Sequence, residues 1–358
     1  MAEPCHSSIF EKAIAVMPID ANTYSAHLDP SWCIATVPHG GYTASILYRT
    51  AATHFAQKAA AGKNRPGRSQ EPIGLQISFQ RRTFAGPAIM TVQEIKLGAR
   101  LSTIHVTLSQ TKDESAAATK ARDRDDELEV KVLAYITLSL PDIEESSSPV
   151  KGTWDLSPPS PPGSLRGGLI NFNALAADGI DGDWKSGPVA PRALHAAKHL
   201  KLYSPSATLF PKTVEERATQ VVDQWARLVP GGTAARWSNE AVVYLTDLSL
   251  AALDRLGAME RTATGTGEDT AKVTTGTGLV QFWYPTVSMN IDLKTRLPLQ
   301  GVEWLHSRVV TRMLRGSRAD LEVLILDQNG ELVATSTQVA LVVDPARNHK
   351  GRESSGKL

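Results

Sequence analysis

Two stretches of the chain are apolar on nearly every helical side, and each is followed by runs with a two-residue apolar period. The first helical stretch follows Val37-Pro38-His39-Gly40-Gly41-Tyr42 and reads TASILYRTAATHFAQKAAA. It predicts a helix of roughly five turns at 3.6 residues per turn. Ala44, Ile46, Leu47, Tyr48, Ala51 and Ala52 spread around its first half, and a helix apolar all round is a buried one. The second stretch, Asn239 to Leu256, contains no Gly or Pro. Ser238 or Asn239 can cap its start and Gly257 can end it. Asp247 interrupts this second stretch. Its neighbours three and four residues away are Val243, Tyr244, Leu250 and Ala251, which would share its face of a helix.

The strand-like runs are Thr23–Leu28, Ile73–Arg82, Ile89–Leu97, Leu101–Gln110 and Leu128–Leu140, then Phe282–Leu293, Val302–Met313, Leu321–Leu326 and Glu331–Val343. In Phe282–Leu293 strict alternation places Val287, Met289, Ile291 and Leu293 on one face, with Thr286, Ser288, Asn290 and Asp292 on the other. The turns also correspond. Gly86-Pro87 and Gly98-Ala99-Arg100 punctuate the first set, Pro298, Gly316-Ser317-Arg318 and Asn329-Gly330 the second, and Glu127-Leu128 and Glu331-Leu332 open the closing strands. Thr111–Asp126 reads as a solvated hairpin tip. A unit of helix then antiparallel strands thus occurs twice, and such a repeat fixes architecture better than any single motif. The expected fold is α+β, a tandem (double) hotdog in which each half is a long antiparallel sheet wrapped around a central helix. The expected organisation is an N-terminal hotdog domain over 1–142, a Pro/Ser-rich linker over 143–168, a C-terminal hotdog domain over 169–345 and a polar tail over 346–358.

Residues 169–215 show little pattern beyond a short helix around Arg192–Leu202. His195 and His199 are spaced there for one helical face and a metal. The run between them, Ala196-Ala197-Lys198, lacks the Glu of a His-Glu-x-x-His site and adds a cation, so no metal is expected.

Composition narrows the classes. The chain has 358 residues, 42% apolar and 21% charged, with a net charge of +1. These values describe a globular protein with no electrostatic case for nucleic acid. Cys5 and Cys33 cannot form a disulfide framework, which points to a reducing compartment such as the cytoplasm. No apolar run is long enough to span a membrane, and the first 20 residues carry no secretory pattern. The terminal Gly356-Lys357-Leu358 differs by one residue from a Ser-Lys-Leu peroxisomal address. No Gly-x-Ser-x-Gly elbow is present, the Gly-Thr-Gly tripeptides of 257–278 do not make a phosphate loop, and no cofactor is expected.

Candidate chemistry lies where polar groups interrupt apolar rows. Asp247 can accept a proton, and burial would raise its pKa. Gln338 shares a strand face with Leu332, Ala334, Ala340 and Val342. Gly40-Gly41 opens the first helix, where free N–H groups and the dipole suit a carbonyl or oxyanion, and His39 can donate or cap. Each has a structural alternative: a carboxylate bonded to backbone or Arg, a satisfied amide, and an ordinary strand Thr in the case of Thr286.

Three segments carry a likeness: HGGYTASIL at 39–47, RTFAGPAIMTVQEIKLGARLSTIHVTL at 82–108 and the block from Gly301 to Val343. They resemble the acyl-CoA thioesterase II-like, double-hotdog superfamily over roughly residues 20–140 and 215–345. The resemblance implies an Asp, Thr and Gln that orient and activate a water. Asp247 matches in Tyr244-Leu245-Thr246-Asp247-Leu248, Thr286 matches by lying seven residues before Leu293, and Gln338 closes Leu332-Val333-Ala334-Thr335-Ser336-Thr337. The stretch from Thr286 to Trp304 is longer than the family pattern, so Ser288 rivals Thr286. Tyr135 falls near the first half's counterpart of Gln338, which implies one site per chain. His39, Gly40 and Gly41 would bind substrate. That substrate would be an acyl-CoA or acyl-carrier thioester, hydrolysed without metal or cofactor. A homo-oligomer is compatible with the sequence. The alternatives are another reaction on an acyl or polyketide-like substrate (dehydration, cyclisation, acyl transfer) and a non-catalytic acyl-ligand binder.

Overall fold

The structure is a computed structural model that describes residues 8–62, 69–112, 128–141, 155–157, 159, 170–187, 194–209, 221–248 and 283–343. After α1 (Ile9–Ala13) come β1 (Val16–Pro18), β2 (Thr23–Leu28), the hairpin of β3 (Cys33–Ile34) and β4 (Val37–Pro38), and α2 (Gly40–Ala60). Strands β5 (Glu71–Phe79), β6 (Gly86–Lys96), β7 (Leu101–Thr111) and β8 (Leu128–Ser139) follow. The second half begins with α3 (Phe172–Asp178), β9 (Ile180–Asp181), β10 (Trp184–Ser186), β11 (Leu200–Pro205), α4 (Ser206–Leu209) and β12 (Val221–Leu228). It continues with α5 (Asn239–Leu245), β13 (Thr286–Leu293), β14 (Trp304–Arg315), β15 (Arg318–Leu326) and β16 (Leu332–Leu341).

Antiparallel pairing of β5 with β13 joins the halves into one sheet, ordered β1-β2-β6-β7-β8-β5-β13-β16-β15-β14-β12-β11-β10-β9. Read from its two ends, the order is the same: β2-β6-β7-β8-β5 corresponds to β12-β14-β15-β16-β13. The repeat read from turn chemistry is therefore the repeat of the sheet, and the fold is a tandem hotdog. Helix α2 is buried from Gly41 to Phe55 on most sides. It packs with Leu75, Ile77, Val106, Ala134 and Ile136 of its own sheet in one continuous core. Each fully buried Ile, Leu or Phe there contributes about 1.5–3 kcal/mol relative to exposure.

Helices α2 and α5 lie against each other and run antiparallel. Gly41 meets Asp247 at one end, while further along the Ser45 hydroxyl donates to the Glu240 carbonyl (2.8 Å) and Arg49 pairs with Glu240 (2.9 Å). The N-terminus of α2 thus faces the chain that leaves α5.

Several expectations change. The second helix, expected through Leu256, is described only to Leu245, and Asp247 lies in the turn after it rather than on a helical stripe. The turn has local causes. The Thr246 hydroxyl donates back to Val243 O (2.8 Å), and the Asp247 and Leu248 N–H groups bond three residues back rather than four. Gln338 donates to Thr246 O (2.7 Å). Leu250 and Ala251 lie outside the described residues. In place of a helix over 192–202, a short 3-10 turn (Ala196–His199) leads into β11. His195 and His199 therefore share no α-helical face. The His199 ring stacks on Trp32 at 3.8 Å and its Nε2 lies 2.9 Å from Ser31 O.

Both faces of β12 and β14 are covered. Val222, Ala226, Leu305 and Val309 face the main core, while Trp225 and Trp304 pack outward with Leu175, Trp184 and Tyr203 from the 170–205 segment. Most of the hairpin tip at 111–126, most of the linker, the 257–278 loop and the Gly356-Lys357-Leu358 terminus fall outside the described residues. Among the described residues no helix is long and apolar enough to cross a membrane.

Candidate active site

Asp247 is 7% exposed and sits where the two halves meet. Its Oδ2 accepts the Gly41 N–H at 2.7 Å, and its Oδ1 accepts the Thr286 hydroxyl at 3.2 Å. His39 Nδ1 lies 3.5 Å from Oδ2 and also accepts from the Gly41 N–H, at 3.1 Å, as the cap of α2. The positive end of the α2 dipole therefore points at this carboxylate.

The glycine pair makes the approach feasible. A Cβ on Gly40 would stand 2.6 Å from Asp247 Oδ2, and one on Gly41 would stand 2.6 Å from the Tyr244 carbonyl. The Gly41 N–H, expected to be open to a substrate oxygen, is instead taken by Asp247 and His39. Gly40 and His39 line the adjoining cavity.

Thr286 reaches Asp247 because β13 carries a bulge. Its pairing with β16 shifts between Thr286 and Ser288, and a bulge re-aims side chains. Strict alternation had put Val287 inside with Met289 and Ile291. Instead Val287 is 37% exposed, and Thr286 takes the inward direction. Ser288, the rival, pairs with Val339 and Ser78 and lines a separate cleft with Asn290, Thr337 and Gln338, away from Asp247.

Gln338 faces inward on β16, 3% exposed. It makes no hydrogen bond to Asp247. Its amide fastens the Thr246 carbonyl immediately before Asp247, and its Oε1 is buried with no hydrogen-bond partner. On β8, in the first half, Tyr135 is exposed, while its neighbours Ala134 and Ile136 face the core.

Burial works against charge on both partners. Burial pushes the Asp247 carboxyl above the usual aspartate value of 3.8, and His39, the Gly41 N–H and the Thr286 hydroxyl only partly offset it. Burial likewise lowers His39 from its usual 6.5, against the pull of Asp247. With Nδ1 accepting, a neutral His39 carries its proton on Nε2 and remains a donor.

A cavity of about 220 Å³ opens onto Asp247. The first half supplies Ile34, Val37, Phe79, Arg81 and Arg82, and the second supplies Trp283, Pro285 and Leu341. Sequence reasoning did not single out Arg81-Arg82 or Trp283. The available signal was a pair of cations closing a strand beside a Gly-Pro turn. Among the described residues no cluster of three His, Cys, Asp or Glu could hold a metal.

A tandem hotdog with a carboxylate buried between its two helices falls in the class of hotdog thioesterase-type folds. More particularly, the chain belongs to the acyl-CoA thioesterase family. Residues 28–122 match the acyl-CoA thioesterase N-terminal domain and residues 175–342 the C-terminal domain. The chain is 30% identical over 363 residues to the thioesterase-like protein TwmA of Talaromyces wortmannii, covering 98% of this chain and 97% of that protein. Solved structures share the fold at lower identity. A thioesterase II-like protein of Thermobifida fusca has a TM-score of 0.60 at 18% identity, over 93% of this chain and 97% of that one. An acyl-CoA thioesterase II of Mycobacterium marinum has 0.57 at 14%, over 94% and 99%.

Proposed function

We propose that this chain hydrolyses an acyl-CoA or acyl-carrier thioester, with Asp247 as general base toward water. The observation that carries the reading is the company of the carboxylate. It is buried at a cavity wall, held by an N–H and a hydroxyl, and its pKa is displaced upward by burial rather than downward by an ion pair. A carboxylate so placed can take a proton as its water attacks.

In this mechanism the water's oxygen bonds to the thioester carbonyl carbon while one of its protons passes to Asp247. The carbonyl electron pair moves onto oxygen, where the positive end of α2, the Gly40 N–H and His39 Nε2–H are the available donors. Collapse of the tetrahedral species breaks the carbon–sulfur bond, and the thiolate takes up the proton to leave as a free thiol. Thr286 orients Asp247. Gln338 positions the turn that presents it.

The test is a panel of acyl-CoA substrates of different chain length and oxygenation, read by release of free thiol and by mass of the acyl product. Free acid and thiol in equal amounts are expected for at least one member. An altered acyl group still joined to its thiol, or binding without thiol release across the panel, would overturn hydrolysis.

A further inference from the structure

The cavity beside Asp247 contains a cation with no counter-charge among the described residues. Arg81 is engaged elsewhere: its Nε lies 2.9 Å from Glu129 and its Nη1 donates to the Val130 carbonyl at 3.1 Å. Arg82 differs. Its Nη2 donates to the Thr36 hydroxyl, no described carboxylate lies within ion-pair distance, and its Nε is buried with no acceptor. Asp247 is the one acid lining the cavity among the described residues, and burial pulls it toward neutrality. A half-buried guanidinium with donors left over is a fork suited to a carboxylate or phosphate.

The segment that holds Arg82 is itself strained. Thr36 belongs to the tight turn between β3 and β4, two residues before the Pro38-His39 entry to α2. Its neighbour Ala35 adopts a φ of +52°, a left-handed backbone that a residue with a Cβ takes at a cost of about 1–3 kcal/mol. Strain of this kind persists where the surroundings over-determine it. The Thr36 hydroxyl beside it accepts from the guanidinium at the cavity wall.

We propose that Arg82 is the anion subsite of this cavity and grips an anionic oxygen group of the thioester substrate. The inference rests on the thioester reading above and adds the feature by which the substrate is recognised. Two parts of such a substrate could supply the anion: a phosphate of the CoA or phosphopantetheine arm, or a carboxylate on the acyl group.

Binding of non-hydrolysable thioether analogues by calorimetry separates these without needing turnover. The ligands are an acyl-CoA thioether, the same acyl thioether of pantetheine without phosphate, and the pantetheine thioether of an acyl group ending in a carboxylate. They are titrated into wild type, Arg82→Gln and Arg82→Lys, with melting temperature as the control for folding. Loss of a charge-assisted pair corresponds to about a ten- to hundredfold weaker Kd. If the arm supplies the anion, Arg82→Gln weakens the CoA analogue by that factor and leaves both pantetheine ligands unchanged. If the acyl group supplies it, the carboxylate ligand alone is weakened among the pantetheine pair. In either case Arg82→Lys recovers part of the loss. Equal affinities in wild type and Arg82→Gln for every ligand, or a uniform loss accompanied by a lower melting temperature, would overturn the subsite. Unaltered analogue binding with no hydrolysis of any true thioester would instead strike the proposed reaction.

Discussion

Two aspartates of the second half are buried to nearly the same degree, Asp223 at 6% and Asp247 at 7% exposure, and they behave oppositely. Asp223 on β12 receives Nε and Nη2 of Arg308 at 2.8 and 2.9 Å, with His306 Nε2 at 3.3 Å. Burial alone would raise its pKa, but His306 and Arg308 outweigh burial and hold it below the ordinary aspartate value. Among the described residues Asp247 has an N–H, a hydroxyl and an imidazole whose own pKa burial lowers, and there burial prevails. Equal burial therefore yields a structural anion in one place and a candidate base in the other. The deciding variable is the formal charge of the donors, not their number.

The largest expected effect is on turnover. Asp247→Asn keeps an acceptor for the Gly41 N–H and a polar partner for Thr286, yet it cannot take a proton. Thiol release should fall about 10²–10⁴-fold while the melting temperature stays level or rises, because a buried anion has been removed. Full activity in this variant would remove Asp247 from the chemistry. Asp223→Ala should do the reverse. Depriving a buried Arg308 of this carboxylate is expected to lower stability by about 3–5 kcal/mol in denaturant unfolding, with little change in kcat for the folded fraction. A neutral stability effect would show that the pair contributes nothing net.

The same comparison predicts opposite pH slopes. Asp223 has a lowered folded pKa, so its stabilisation is complete above the unfolded value and is lost as pH falls through the folded one. Asp247 has a raised folded pKa. It is stability-neutral in its protonated form at low pH, and it subtracts stability as pH rises from the unfolded value of 3.8 through the folded one. In acid-unfolding series, Asp223→Ala should flatten the acid limb and Asp247→Asn should steepen it. For wild type, kcat/KM should fall on the acid side with a midpoint above 3.8. Parallel acid limbs in the two variants would contradict the assignment of opposite shifts.

The same distinction sets what was legible in the sequence. The repeat was legible, because turn residues such as Gly98 and Gly316 and the two all-apolar helices mark it without reference to packing. Asp247 was legible as an anomaly because a lone carboxylate beside Val243, Tyr244, Leu250 and Ala251 conflicts with its surroundings. The helix boundary was not legible: nothing in the propensity of Asn239–Leu256 announces that Gln338, distant in sequence, takes the Thr246 carbonyl. Asp223 gave no signal at all. Its partner Arg308 is 85 residues away, and β12 and β14 lack alternation because the 170–205 segment covers their outer face. Long-range hydrogen bonds and second-face burial are tertiary facts, and short-range periodicity does not encode them.

The smallest effect tests the point where strand alternation gave the wrong face. Strict alternation makes Thr286 and Ser288 equivalent, both turned away from Met289 and Ile291, and leaves either free to serve as the hydroxyl partner. The bulge separates them: Thr286 bonds Asp247 and Ser288 stays on the opposite side. Thr286→Val removes one neutral hydrogen bond at nearly constant shape. It should reduce kcat by about tenfold, the equivalent of a single such bond, and should raise the kinetic pKa of Asp247 further, since the Thr286 hydroxyl is one of the groups that lower it. Ser288→Ala should leave both kcat and the pH profile at wild-type values. A larger loss in Ser288→Ala than in Thr286→Val would mean that the strand pairs without the bulge, and that the carboxylate takes its hydroxyl from the other residue.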